Sequence, residues 1–151
     1  MRHASAAALA ALVALAPAAH AQDPGNMLAE FGILGRWAAD CGRPAASNNP
    51  HIVFERSADG SGAQYRVIFT PNNATVRSID NVRVLREGTI AMRFTTPTGA
   101  TTGLAFDITM LKEPARYKVI GSVGSDGKVY IKDGIVVADG RPNPWQNKCP
   151  D

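Results

Sequence analysis

From Leu34 onward the chain alternates apolar and polar residues in short runs rich in Val, Ile, Phe, Tyr and Thr, with turn residues between the runs at nearly regular intervals. A period of two puts successive side chains on opposite faces of a strand, so this pattern specifies half-buried strands joined to antiparallel neighbours. The predicted strands are 34–41, 51–57, 63–70, 75–86, 89–96, 102–112, 115–123 and 128–132. Between them lie Asp59-Gly60-Ser61-Gly62, Pro71-Asn72-Asn73, Glu87-Gly88, Pro97-Thr98-Gly99, Glu113-Pro114 and Ser125-Asp126-Gly127, all short turn chemistry. Asp133-Gly134 followed by Ile135, Val136 and Val137 marks a short ninth strand.

Parity assigns the faces. Ile90, Met92 and Phe94 alternate with Ala91, Arg93 and Thr95, and Leu104, Phe106, Ile108 and Met110 alternate with Ala105, Asp107 and Thr109. Tyr117, Val119, Gly121 and Val123 are assigned inward, opposite Arg116, Lys118, Ile120 and Ser122. A sheet of this size folds into a sandwich or closes on itself. Greek-key sandwiches need long crossovers, whereas the longest connection before the last strand here is only Gly42 to Pro50. The expected fold is therefore all-β: an eight- or nine-stranded antiparallel up-and-down barrel. Ahead of it, Asp23-Pro24 supplies an N-cap and first helical residue, Met27, Leu28 and Phe31 share a face, and Gly32 ends a short N-terminal helix.

Met1-Arg2-His3, the apolar run Ala4 to Ala16 and the triplet Ala19-His20-Ala21 have the layout of a Sec-type signal peptide, giving a predicted leader at 1–21 and one domain at 22–151. The run is too short to span a bilayer, no Cys follows the triplet to carry a lipid, and no second long apolar stretch appears. The expected location is the periplasm or the extracellular medium, with no membrane span. Removal of Arg2 leaves 15 basic residues against 13 acidic ones, a net charge of +2, which argues against nucleic acid as a partner. The protein is expected to be a monomer.

The two cysteines each stand four residues after one of the two tryptophans, in Trp37-Ala-Ala-Asp-Cys41 and Trp145-Gln-Asn-Lys-Cys149. Two thiols in an exported domain are most simply a disulfide; two free thiols, a metal pair and an intermolecular bridge are the alternatives. Strand parity lines up Trp37, Ala39 and Cys41 on one face. Pro142 and Pro144 argue against a central strand in the tail, which is then expected to lie across the sheet, pinned by the bridge. Trp145 either covers the bridge or stands exposed as a partner contact, and Asp40 and Lys148 are placed to form an exposed ion pair.

With the leader removed, His51 is the one remaining histidine, too few for a multi-His zinc site or for any triad not built on it. At the start of a strand beside Pro50 it reads as an exposed residue. No nucleophile elbow, phosphate loop or dinucleotide fingerprint occurs in 22–151, and most acids fall in turns. No catalytic, metal-binding or cofactor-binding residue is assigned, and no enzyme activity is expected. The 10 arginines of 22–151, against 5 lysines, read mainly as solvated outer-face charges, although a converging set can hold an anionic head group. Arg56 stands apart: it shares parity with Ile52 and Phe54 and is expected to point inward near a rim.

The segment Ile33-Leu34-Gly35-Arg36-Trp37, a G-x-W on the first strand straight after a short helix, resembles the opening of lipocalin-like, calycin-type barrels. In that family the Trp closes the bottom of the barrel and the strands run in a plain meander, which gives Gly35 and Trp37 structural roles here. The chain departs from the classical pattern in having no T-D-Y triplet on a middle strand. For a basic residue stacked on the Trp it offers Arg141 and Lys132. It is also similar to small secreted bacterial proteins of unassigned function that open with G-x-W and end in a Cys.

Two functions fit such a barrel. In the first, the interior binds a small apolar or amphipathic ligand against Phe54, Tyr65, Phe69, Met92 and Phe94 on the earlier strands and Phe106, Met110 and Tyr117 on the later ones. A lumen above roughly 300 Å³ with polar groups supports that function and a solid core opposes it. In the second, the barrel is a scaffold for a periplasmic inhibitor of the protease or lysozyme type, or an envelope interaction module. Its contacts would come from the loop 45–50 or the tail 140–144.

Overall fold

The computed structural model describes residues 23–58, 60, 62–96 and 103–150, which form one helix and ten strands. The predicted leader at 1–21, the turn residues Asp59, Ser61 and Pro97-Thr98-Gly99, and Thr102 at the head of the sixth predicted strand lie outside the described residues.

Helix α1 (Pro24–Phe31) begins where the Asp23 carboxylate accepts a hydrogen bond from the Gly25 N–H at 3.0 Å, and Pro24 fills a first-turn position that needs no donor. It ends at Gly32, whose φ of 72° is the left-handed conformation a glycine adopts without cost. Leu28 is fully buried, Met27 and Phe31 pack on the core, and the helix lies against the third and fourth strands.

The strands are β1 (Gly35–Ala38), β2 (His51–Arg56), β3 (Ala63–Thr70), β4 (Asn73–Arg86) and β5 (Thr89–Thr95), followed by β6 (Phe106–Glu113), β7 (Arg116–Gly124), β8 (Val129–Lys132), β9 (Ile135–Val136) and β10 (Gln146–Lys148). Consecutive strands pair antiparallel from β1 to β9, while β10 pairs with both β1 and β7. The ring is therefore a closed eight-stranded barrel of β1 to β7 and β10, with β8 and β9 outside it. One edge of β7 is shared. Arg116 and Tyr117 face Asn147 and Gln146 of β10, whereas Ser122 and Val123 face Ile131 and Val129 of β8.

The eighth stave is thus the tail, in place of the predicted 128–132, and the tail does not lie across the sheet. Proline removes a donor only at its own position. Four and five residues beyond Pro144 the donors are in use: the Lys148 N–H reaches Ala115 O and the Cys149 N–H reaches Arg36 O, each at 2.8 Å, one to either neighbour.

Two bulges alter the predicted faces. Gly121 opposes Thr109 while Val119 opposes Met110, so Ile120 is an extra residue, and beyond it the parity of β7 reverses. Ser122 is consequently buried and Val123 is 39% exposed, the opposite of the sequence assignment. In β4, Asp80 opposes Arg93 and Arg83 opposes Ala91, leaving one surplus residue, with Asn81 at φ 49°. Ile79 and Val82 are both buried, whereas Val84 and Leu85 are exposed. At the other end, β1 stops at Ala38; Trp37 and Ala38 are both buried and Ala39 is exposed, so Trp37, Ala39 and Cys41 do not share a face.

Candidate functional site in the barrel lumen

One end of the lumen is sealed. Trp37 is fully buried, its indole N–H donating to Ile33 O at 2.8 Å and its ring meeting the edge of Tyr117 at 5.2 Å. The Lys148 ammonium stands 4.8 Å over the indole and donates to Leu34 O. The cation on Trp37 is thus Lys148, a residue of the closing strand, and neither Arg141 nor Lys132; Arg141 pairs with Asp139. Lys148 does not pair with Asp40, whose carboxylate accepts from the Gly42 N–H at 2.9 Å. At Gly35 φ is 106° and an added Cβ would meet the Lys148 ammonium, so this position needs glycine for conformation and for space.

Cys41 and Cys149 form a disulfide with Cα atoms 5.3 Å apart, tying β10 to the chain just beyond β1. The long loop beside it is internally fixed. The buried Asn49 side chain accepts from the Asp40 N–H at 3.1 Å and donates to Asp40 O at 3.0 Å. His51 is 7% exposed, with Nε2 3.0 Å from Arg43 O. It was expected on the surface, but the loop folds back over it and uses its ring as an anchor. The tail is bonded as well: Asn143 N–H reaches Gly134 O and its amide donates to Val119 O at 3.1 Å. Neither segment offered for partner docking is a free loop.

Inside the barrel is a cavity of about 300 Å³. Its apolar wall comprises Ile52, Phe94, Phe106, Ile108, Met110 and Val119, with Ile131 from β8. Its polar groups are Tyr65, Arg77, Tyr117, Ser122, Asn143 and Gln146. None of the α1 residues lines it, because Leu28, Ile33 and Trp37 fill the opposite end. The aromatic rings form a continuous chain: Phe54 lies 5.3 Å from Tyr65 and 5.6 Å from Tyr117, and Tyr65 stacks on Phe94 at 4.3 Å.

Of the nine residues predicted to line the interior, the structure brings Tyr65, Phe94, Phe106, Met110 and Tyr117 to the cavity. Phe54 and Met92 are buried in the packed core beside it. Phe69 is half-buried where the β3–β4 register shifts and belongs to neither group. Arg56 does not point inward. It lies at the end of β2, its side chain 45% exposed, and reaches the helix-capping carboxylate of Asp23 at 3.5 Å. Trp145 is half-buried on the outer wall beneath Arg116 and Lys118, 4.3 and 4.9 Å from the ring, and is not a free contact residue.

The inward arginine is Arg77. It opposes Tyr65 in register, donates to Leu104 O at 2.9 Å and lies 4.9 Å over the Phe106 ring. Its parity with Ile79 was a signal present in the sequence. Ser122 was hidden by the bulge, and Asn143 and Gln146 by the path of the tail. Burial pushes the Tyr65 phenol up to about 12, with the Arg77 charge pulling the other way. Burial also raises Tyr117 well above the usual value, aided by Tyr65 nearby, so both phenols are neutral hydrogen-bonding groups across the physiological range.

A larger trough, about 1070 Å³, runs from Pro24 and Met27 of α1 across β4 to β7, where it meets Ala91, Thr109 and Gly121 and the buried Val82, Met92 and Ile108. Two of its charges pair, Arg93 with Asp107 at 3.5 Å, and the Asp80 carboxylate accepts from the Thr95 hydroxyl at 2.9 Å. With no aromatic side chain among its described lining residues and an ion pair across its floor, it is the weaker candidate. The lumen, with an apolar wall and several polar groups converging on one partly open cavity, is the arrangement expected of a small-molecule site.

Barrel, clasp and cavity together define a class: a closed antiparallel barrel with an amphipathic lumen, locked by one disulfide. No protein-family model, curated protein or solved structure matches the chain.

Proposed function

We propose that the protein is a non-enzymatic, lipocalin-like binding protein, exported to the periplasm or the extracellular medium, that holds a small amphipathic ligand in its barrel. The cavity of about 300 Å³, at the lower bound of small-molecule sites, carries this reading, because its wall combines apolar surface with Arg77, two phenols and an amide. The leader-like N-terminus and the single disulfide support export. Among the described residues no helix is long and apolar enough to cross a membrane.

Native mass spectrometry of protein recovered from its own host tests the proposal. A retained small molecule is expected, and it should be missing from a Val119→Trp variant whose lumen is filled. A retained protein partner, or identical small-molecule retention by the filled variant, overturns it.

A further inference from the structure

Resting on the lumen as the binding site, we propose that its ligand is a compact aromatic monocarboxylate, the ring lodged among the lumen aromatics and the carboxylate on Arg77. The cavity limits the size: about 300 Å³ lies at the lower end of small-molecule sites and favours a compact occupant. The wall sets the shape. Tyr65, Phe94, Phe106 and Tyr117 all line the space, and ring faces and edges favour a further ring at stacking or edge distance. A flat occupant with few rotors also loses little freedom on entry, unlike an alkyl chain of the same size.

Charge sets the head group. Among the described residues, Arg77 is the one charged residue on the wall, and no aspartate or glutamate lines it. Its guanidinium has five N–H donors, of which one nitrogen is engaged with Leu104 O, leaving donors for a planar anion. A second observation comes from the closing strand. Gln146 lines the same cavity and its Oε1 is buried with no hydrogen-bond partner among the described residues. An unpaired buried amide is costly, and turned by half a rotation it presents its NH₂ as a further donor to a carboxylate oxygen. The neutral phenols supply donors without adding opposing charge.

Isothermal titration calorimetry on the full chain with cinnamate, cinnamyl alcohol, decanoate and decanol tests this, alongside Arg77→Gln, Arg77→Lys and Val119→Trp. Cinnamate should bind at least about tenfold more tightly than cinnamyl alcohol, and Arg77→Gln should weaken cinnamate by about 10- to 100-fold while leaving the alcohol unchanged. Arg77→Lys should retain part of the preference. Equal binding of acid and alcohol, or indifference to Arg77→Gln, overturns the head-group assignment with lumen binding intact; decanoate binding more tightly than cinnamate overturns the aromatic assignment. Undiminished binding of cinnamate by Val119→Trp moves the site out of the lumen. Failure of all four probes on the wild-type chain, together with an empty native mass spectrum, removes the proposed function as well. The acid and alcohol comparison on the wild-type chain stands if any variant does not fold.

Discussion

Gly35, Trp37 and Lys148 form one contact. The glycine leaves room for the lysine, the lysine covers the indole, and the indole is held by Ile33 O. Gly35→Ala strains a backbone at φ 106° and pushes the ammonium off the ring; a loss of about 1–3 kcal/mol is expected in urea unfolding. Lys148→Met removes the cation and leaves Leu34 O without that donor, and in a double-mutant cycle the two losses should be less than additive. The buried phenols predict a pH dependence. Tyr65 titrates near 12 in the folded chain and near 10 when unfolded, so the unfolded state releases its proton first as pH rises. Its contribution is intact below pH 10 and lost between 10 and 12, on the order of 2–3 kcal/mol. Tyr65→Phe should flatten the alkaline fall in urea-derived stability.

Among the elements, β10 carries the most consequence for its size. Three residues close the ring, place Gln146 in the lumen and Lys148 on Trp37, and run directly into the disulfide. Replacing Cys41 and Cys149 by Ser releases a constraint spanning 108 residues, with an expected cost of about 2–5 kcal/mol by thermal or urea unfolding. Any ligand held in the lumen should also bind more weakly, because part of the wall leaves with the strand. The period-two runs made nearly every other stave readable. This one was not, since its two neighbours are distant in the chain and its own length is too short to show a period. Bulges defeated the pattern in a different way. One extra residue at Ile120 turned Ser122 inward and Val123 outward, and nothing local to 116–124 marks that extra residue.

At the scale of the molecule, the barrel divides into a sealed end under α1 and an open lumen beyond it. A ligand present at about a hundredfold over its dissociation constant should raise unfolding stability by about 2.7 kcal/mol, read as a shift in thermal midpoint, and Val119→Trp should abolish that shift. The nine predicted lining residues show how far parity reaches. It found the five that meet the cavity, yet it sent Arg56 inward because parity does not fix where a long side chain at a strand end finally points: Arg56, the last residue of β2 and paired with Ala63, reaches Asp23. The same rule, applied along β4, would have picked Arg77.

The sequence by itself determined most of the strand ladder, the helix with its Asp23 cap and Gly32 stop and the meander order, and made a bridge between the two cysteines the simplest reading, because each rests on local periodicity, on turn and cap chemistry or on simple counting. Only the tertiary structure decided which segment closes the ring, which cation covers Trp37, that His51 is an anchor, and that Arg77 and Gln146 share a cavity. Those outcomes depend on contacts between residues far apart in the chain and on single-residue shifts of register, and neither leaves a trace in local pattern.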